Sequence, residues 1–316
     1  MVDLTISIGT LDNYKVLEPC LRSIYQEDDP QLSYKVFVVN NGFTESRVSE
    51  KIEKNFPQVT LVKKKPKLGY CVPHNLVMSI SNSRYVLILD DDTIVMKGTL
   101  KKMVAFMDSH PEVGIAGCKT LNPDGTFQKT YGLMPDLKNQ LLNAFKISNS
   151  YPDRLFKDIS FSREVEYILG AFMFVRAEIL KEVGLLDENY YTLGCEPDWC
   201  YRIRKAGWKV MFVPEAEIIH IGGEHSFNAT SRSVINLIRH HVHYYYFFHK
   251  HYGRFSCFLL RPIMIIGMLL RIFHYSWVYI LRPANRVEAG KRVRAFWRVL
   301  RFSFSFKPYN MPKELQ

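Results

Sequence analysis

The chain has 316 residues, 47% of them hydrophobic and 23% charged, which excludes a largely disordered protein and fits one large α/β domain or one domain with an appendage. A formal charge of +11 and a pI near 9.2 favour anionic partners such as nucleotide phosphates or acidic lipid. The patterns of common nucleic-acid modules are absent, so nucleic acid is not an expected partner. Six scattered cysteines with no CxxC pair exclude a zinc knuckle and predict reduced thiols.

Met1 leads directly into a strand-like run, without the basic and apolar regions of a secretory leader, so none is expected. Residues 4–9 read as a short β-strand, followed by a polar turn through Thr10, Asp12 and Asn13. Over 14–26, Val16, Leu17, Cys20, Leu21 and Ile24 recur at helical spacing and form one apolar face. A second strand over 34–39 ends in Asn40-Asn41-Gly42. A helix over 45–55 and a third strand over 59–63 follow, then a basic turn through Lys64, Lys65, Lys67, Gly69 and Tyr70. After a helix over 74–80, the apolar run Leu87-Ile88-Leu89 passes straight into Asp90-Asp91-Asp92. Strands alternating with amphipathic helices predict a parallel sheet with helices on both faces. Ligands of such sheets bind beyond the carboxyl ends of the strands.

Three adjacent carboxylates at the end of a buried strand repel one another and lose solvent together. A hard divalent cation such as Mg²⁺ or Mn²⁺ relieves both costs; a solvated acidic turn is the alternative. Asp12, Asn40-Asn41 and the Asp90–Asp92 trio each follow a strand, so they fall on one edge, and that agreement favours a metal–phosphate site.

A helix over 100–109 and a strand over 113–117 come next. Asn122-Pro123-Asp124-Gly125 is a turn signal that predicts a hairpin into 127–131. The polar stretch 133–164 reads as an irregular loop region, either over the site or a plain connector. Residues 165–176 read as one strand with Gly170-Ala171 at its centre, where small side chains admit either a sugar or a packed helix. In Cys195-Glu196-Pro197-Asp198-Trp199, Pro197 suits the first turn of a helix. Glu196 and Asp198 are then either partners of the helix terminus or carboxylates for proton transfer. His220, between an apolar run and Gly222-Gly223, is either structural or an imidazole ligand.

From 233 to 252 the chain is crowded with histidine and aromatic residues, read as a packed helix rather than a metal tract. The apolar stretch 257–281 is interrupted by Arg261, Pro262 and Arg271, which argues against a bilayer crossing. Basic residues follow to Arg301, interleaved with Phe296, Trp297 and Leu300. This suits helices lying in the interface of an anionic cytoplasmic leaflet; a dimerisation element is the alternative.

Taken in order, these motifs resemble the inverting glycosyltransferases of family 2. The resemblance is carried by the turn from Thr10 to Asn13, Asn40-Asn41, Gly69-Tyr70 with Asn75, Leu89-Asp90-Asp91-Asp92, and Gly170-Ala171. It continues through the turn from Val183 to Glu188, Glu196-Pro197-Asp198-Trp199-Cys200-Tyr201-Arg202 with Ala206-Gly207-Trp208, and His220-Ile221-Gly222-Gly223. The match runs over 3–225 and is closer to bacterial enzymes of cell-surface polysaccharide synthesis, rhamnosyltransferase-like members included.

The resemblance implies an α/β fold of the nucleotide-diphospho-sugar transferase type, GT-A: a Rossmann-like mixed sheet flanked by helices over 1–230. A C-terminal helical, membrane-associating region over 231–316 follows. It gives Asp90 and Asp92 the positions of a DxD pair that holds Mn²⁺ or Mg²⁺ against the donor diphosphate, with His220 completing the site. Glu196 and Asp198 match the acidic motif that supplies the catalytic base. Thr10, Asp12, Asn40, Asn41, Gly69, Asn75, Asp90 and Asp91 fall where the donor nucleotide is held, and Gly170, Ala171 and Trp199 where a sugar or acceptor packs. Two departures stand out: Asn40 where many relatives have Asp, and Cys195-Glu196 where Glu-Asp is usual.

The implied activity is metal-dependent inverting transfer from a nucleotide-diphospho-sugar to a hydroxyl of a glycan or lipid-linked glycan. The enzyme would be cytoplasmic and peripheral on the inner face of the cell membrane, with homo-oligomers through the C-terminal helices as a further expectation. The alternatives are a polyprenyl-phosphate glycosyl synthase of the same fold and a non-catalytic nucleotide- or sugar-binding module.

Overall fold

The computed structural model describes residues 2–11, 13–26, 32–40, 47–63, 69–145, 159–191, 194–222 and 230–305. The chain divides into two compact units: Met1–Leu133 with Asp158–Gly223, and Met134–Lys157 with Glu224–Gln316.

In the first unit, β1 (Val2–Thr10), α1 (Tyr14–Tyr25), β2 (Tyr34–Asn40), α2 (Arg47–Asn55), β3 (Thr60–Lys63), α3 (Cys71–Ile80) and β4 (Ser83–Asp90) alternate as expected. Then come β5 (Thr93–Val95), α4 (Thr99–Ser109), β6 (Val113–Leu121), β7 (Phe127–Gln128) and β8 (Tyr131–Gly132). The sheet order is β3-β2-β1-β4, with parallel pairing throughout. Leu4, Ile6 and Ile8 of β1, Leu87 and Leu89 of β4, and Leu17, Leu21 and Ile24 of α1 are all fully buried in one core. Burial of each such side chain contributes about 1.5–3 kcal/mol, so the strand register is strongly specified by this core.

The second unit contributes α5 (Leu137–Ala144), where an irregular region was expected; Asp136 caps it by accepting from the Asn139 N–H at 2.6 Å. Back in the first unit, β9 (Arg163–Glu164), β10 (Tyr167–Ile168), β11 (Phe172–Arg176), α6 (Ile179–Glu182), α7 (Cys195–Lys205) and β12 (Lys209–His220) complete the sheet. Alternation over the first strands predicts parallel pairing, which holds for β1–β4, and the sheet as a whole is mixed, as the GT-A resemblance implies. β11 enters antiparallel between β4 and β6, and β5 pairs antiparallel with β12. The expected single strand over 165–176 is broken at Gly170-Ala171, so these residues form a turn between β10 and β11 rather than a strand centre.

Register places the chemistry. Gly9 pairs with Asp90 and Thr10 with Asn40, so β1, β2 and β4 end on one edge. β5 folds back directly after the aspartates, and His220 pairs with Thr93, which returns the end of β12 to that edge.

The rest of the second unit is helical: α8 (Thr230–Leu281), interrupted at Gly253 with φ +82°, a 3-10 turn over Pro283–Asn285, and α9 (Arg286–Ser305). Met268 and Ile272 of α8 bury against Val299 and Leu300 of α9. The rings of Tyr275 and Phe296 stack 5.8 Å apart. Arg261 donates to the carbonyls of Ser303 (2.8 Å) and Phe304 (3.0 Å), and Arg271 to those of Gly267 (2.9 Å) and Asn143 (2.7 Å). His241 of the histidine-rich tract is buried against the Ser303 hydroxyl at 2.7 Å. Phe255, Phe258, Leu259, Ile266, Phe273 and Trp277 are exposed along α8, and Lys291, Arg294, Arg298 and Arg301 along α9. By length and hydropathy alone, Ile238–Leu281 is able to cross a membrane.

Candidate active site

Asp90, Asp92 and His220 each offer one ligand atom, all within 4.8 Å of one another, and form the one such group among the described residues. His220 Nε2 lies 3.1 Å from Asp92 Oδ1 and 3.9 Å from Asp90 Oδ2. The group is half-buried. Burial, the charge of Asp92 and lesser charges push the Asp90 carboxyl up, against the opposing pull of His220. Burial also carries Asp91 up to about 6, with the Thr10 hydroxyl pulling the other way. Burial works against a charged His220, but the bond to Asp92 and the charges of all three aspartates outweigh it and hold the imidazole up. Two carboxylates and an imidazole, with negative charge in excess, fit Mn²⁺ or Mg²⁺ in chemistry and spacing.

Gly222 completes this wall. A Cβ there would collide with Asp92 Oδ2, while the Ile221 N–H donates to the Asp92 carbonyl at 2.9 Å. Only a residue without a side chain lets the carboxylate lie over the backbone at this point.

The second acidic pair opens α7, and its members differ. Asp198 is completely buried, with Arg202 Nε donating to Oδ2 at 3.0 Å and the Tyr190 hydroxyl to Oδ1 at 3.4 Å. Arg202 also binds the carbonyls of Val183 and Leu185, so Asp198 anchors the loop before α7. Glu196 has no such cation among the described residues. Its Oε2 accepts from the Gly194 N–H at 3.1 Å and from the Cys195 thiol at 3.6 Å. Its Oε1 faces Gly170, where a Cβ would lie 3.0 Å away. Burial pushes Glu196 up, and the surrounding N–H groups only partly restrain it.

The Gly170-Ala171 turn links the two regions. The Ala171 carbonyl accepts from the Asp90 N–H at 3.2 Å, and the Gly170 carbonyl accepts from the Tyr70 hydroxyl at 2.9 Å. Burial and the charges of Asp90, Cys195 and Glu196 drive the Tyr70 phenol far above its usual range. Tyr70 therefore lies among the site's carboxylates. Sequence reading noted it only as the companion of Gly69 and assigned it no role.

Several expected contacts take other positions. Trp199 was expected against a sugar, but its ring is completely buried and its indole N–H donates to the Gly184 carbonyl at 2.9 Å. Asn75 was expected at the nucleotide, yet its side-chain amide is occupied by Leu186 and Glu188 at 2.9–3.0 Å. Gly69, at φ +75°, is accounted for by close approach of the Tyr191 carbonyl, 2.7 Å from a would-be Cβ. Thr10 and Asn40 stand buried at the strand edge, with Asn40 Nδ2 on the Ser49 hydroxyl at 3.3 Å. Asp12, Asn41 and the turn lysines Lys64, Lys65 and Lys67 lie outside the described residues. All six cysteines are free and buried.

The profile described as "Glycosyltransferase like family 2" matches residues 3–239. The chain belongs to that family. The match places a glycosyltransferase family 2 domain over most of the chain. It is 24% identical over 233 residues to N-acetylglucosaminyl-diphospho-decaprenol L-rhamnosyltransferase of Mycobacterium tuberculosis, covering 67% of this chain and 73% of that one. It is 25% identical over 222 residues to the y4gI protein of Sinorhizobium fredii, covering 69% of this chain but only 24% of that protein's length. Among solved structures, the mannosyltransferase PcManGT of Pyrobaculum calidifontis, in complex with GDP-Man and Mn²⁺, superposes with a TM-score of 0.54. That match is at 14% identity over 96% of this chain and 89% of that one, and it supports the GT-A fold.

Proposed function

We propose that the protein is a metal-dependent, inverting glycosyltransferase that moves a sugar from a nucleotide-diphospho-sugar to a hydroxyl of a lipid-linked glycan. The observation that carries this reading is the pairing of two unlike acidic centres across one turn. Asp90 bonds Ala171, and Glu196 Oε1 faces the adjoining Gly170.

Asp90, Asp92 and His220 would hold Mn²⁺ or Mg²⁺, which supplies positive charge to the departing diphosphate as the glycosidic bond breaks. Thr10, Asn40 and Asp91 stand at the strand edge where the nucleoside would bind. Glu196 Oε1 takes the proton of the acceptor hydroxyl while that oxygen attacks the anomeric carbon. The bond from that carbon to the diphosphate oxygen breaks on the opposite face, so nucleoside diphosphate leaves and the configuration inverts. Burial makes Glu196 a stronger base than a solvated carboxylate, which suits it to this step. Asp198, neutralised by Arg202, takes no part in proton transfer.

The catalytic work is assigned to residues 1–230. The helical region 231–316, with apolar side chains exposed on α8 and cations on α9, suits peripheral attachment to the cytoplasmic face of an anionic membrane. The rhamnosyltransferase relative, whose name specifies a decaprenol-linked acceptor, supports a lipid-linked acceptor here.

The test is transfer from a panel of nucleotide-sugars to a polyprenyl-diphospho-sugar, with Mn²⁺ and with chelator, and the product's anomeric configuration read by NMR. Inverted product formed only with the metal is expected. Retained configuration, or full turnover in chelator, overturns the reading. A glycosyl polyprenyl phosphate formed from the lipid phosphate alone would identify the synthase alternative.

A further inference from the structure

The turn Asn122–Gly125, legible in sequence only as a hairpin signal, connects to the metal cluster through an unbroken line of side-chain hydrogen bonds. His220 Nδ1 lies 2.7 Å from Gln128 Oε1. Gln128 Nε2 donates to Asn122 Oδ1 at 2.9 Å and to the His220 carbonyl at 3.2 Å. Asn122 Nδ2 donates to the Thr126 hydroxyl at 2.9 Å, and that hydroxyl donates to Asp124 Oδ1 at 2.6 Å.

The direction of this line is fixed at its far end. An ionised carboxylate only accepts, so the Thr126 proton goes to Asp124 and the Thr126 oxygen must accept from Asn122 Nδ2. Asn122 therefore turns its carbonyl oxygen to Gln128, which gives its Nε2 protons away and turns Oε1 to His220. A ring nitrogen facing a carbonyl oxygen must carry a proton. Backbone bonds brace the turn: Asn122 N–H to the Thr126 carbonyl at 2.8 Å, and Gly125 N–H, at φ +82°, to the Asn122 carbonyl at 2.9 Å. Gln128 itself is buried at 6% exposure and sits in register opposite Thr120. Its polarity is set by the hairpin rather than by solvent.

We infer that Gln128, oriented by Asn122, Thr126 and Asp124, is a positioning residue that holds the proton on His220 Nδ1 and so presents Nε2 to a divalent cation shared with Asp90 and Asp92. The inference rests on the metal reading of the preceding section. A ligating histidine bound in this way keeps one tautomer and one ring orientation, and loss of such a partner typically weakens metal affinity about 10–100-fold.

The test compares the parent with Gln128→Leu, Gln128→Met and Gln128→Glu. Leucine and methionine remove the acceptor at similar volume, and both are made so that one remains if the other fails to fold, as judged by circular dichroism. Glutamate keeps an oxygen facing Nδ1. Mn²⁺ affinity is read by electron paramagnetic resonance of the free ion, and the His220 tautomer by ¹H–¹⁵N correlation spectra of the Mg²⁺-loaded protein. The expected result is ~10–100-fold weaker Mn²⁺ binding and loss of the single Nδ1–H pattern in the Leu and Met variants, with the Glu variant within about 3-fold of the parent. Parent-like affinity in the folded Leu or Met variant overturns the role of Gln128 while leaving the metal site standing. Equal loss in the Glu variant also overturns it, because the acceptor would then not be the cause. A parent that fails to bind Mn²⁺ overturns the metal reading and this inference together.

Discussion

At the end of β4, three carboxylates stand together with only the His220 imidazole beside them among the described residues. At the start of α7, one of two carboxylates is neutralised by Arg202 at 3.0 Å and the other is not. Burial is deepest at Asp198, the member that has found a cation; the β4 cluster is only half-buried. A carboxylate wholly removed from water needs an internal partner, and one that has it is committed to structure. The acidic groups left without an arginine or lysine partner among the described residues are those placed at the edge of the sheet, beside His220, and against the Gly170 turn. The difference in partner, rather than in residue type, separates chemistry from scaffold here.

That contrast can be broken at its strongest point first. Asp92→Asn should lower sugar transfer by ~10³-fold or more, because charge stabilisation in the transition state is worth several kcal/mol. The same variant, measured without metal, should be no less thermostable than the parent, since a repelling charge has been removed. A large fall in melting temperature would instead make the trio structural.

Glu196→Gln should reduce kcat by about 10²–10⁴-fold, the range for losing a general base, while Mn²⁺ affinity measured by calorimetry stays parent-like. Asp198→Asn should do the reverse. It leaves Arg202 without its buried partner, at a cost of about 3 kcal/mol in urea unfolding, while the rate per folded molecule is preserved. If the two variants exchange phenotypes, the assignment of base and anchor is inverted.

The smallest effect is one of pH. Asp91, raised to about 6, and Asp90, raised beside it, are more easily protonated folded than unfolded. Their contribution to stability is therefore full below the ordinary carboxylate value near 4, and is lost as pH rises through about 6 for Asp91 and about 7 for Asp90. Metal ions bind the deprotonated forms. The rise in melting temperature on adding Mn²⁺ should thus grow from pH 5 to pH 8; a rise that shrinks over that range would count against ligation by Asp90.

Much of the frame was legible because it is local. Leu87-Ile88-Leu89 before Asp90-Asp91-Asp92 announces both a buried strand and its charged end, and the strand ends preceding Asp12 and at Asn40-Asn41 predict a common edge, which the register of β1, β2 and β4 delivers. What was not legible depends on distant partners. Asn75 meets Leu186 across 111 positions, and Trp199 meets Gly184 inside the core; as motif members both resembled ligand contacts. The chain also turns at Gly170-Ala171 before β11 pairs antiparallel with β4, and the mostly apolar run 165–176 gives no sign of that turn. Gln128 lies in a strand of two residues, too short for any periodicity, and its value comes entirely from the hairpin geometry around it.

Two arginines of the helical unit bear on the membrane attachment proposed above. Arg261 and Arg271 were counted from sequence as charges barring α8 from an apolar layer. Each guanidinium is already bonded to two backbone carbonyls within its own unit. Such a charge carries its own solvation shell of peptide oxygens wherever the helix goes, so its transfer energy is not that of a bare arginine. Under the proposed membrane attachment, depth would be governed by the exposed ring faces of Phe255, Phe258, Phe273 and Trp277, and the two arginines would act as internal rivets rather than floats.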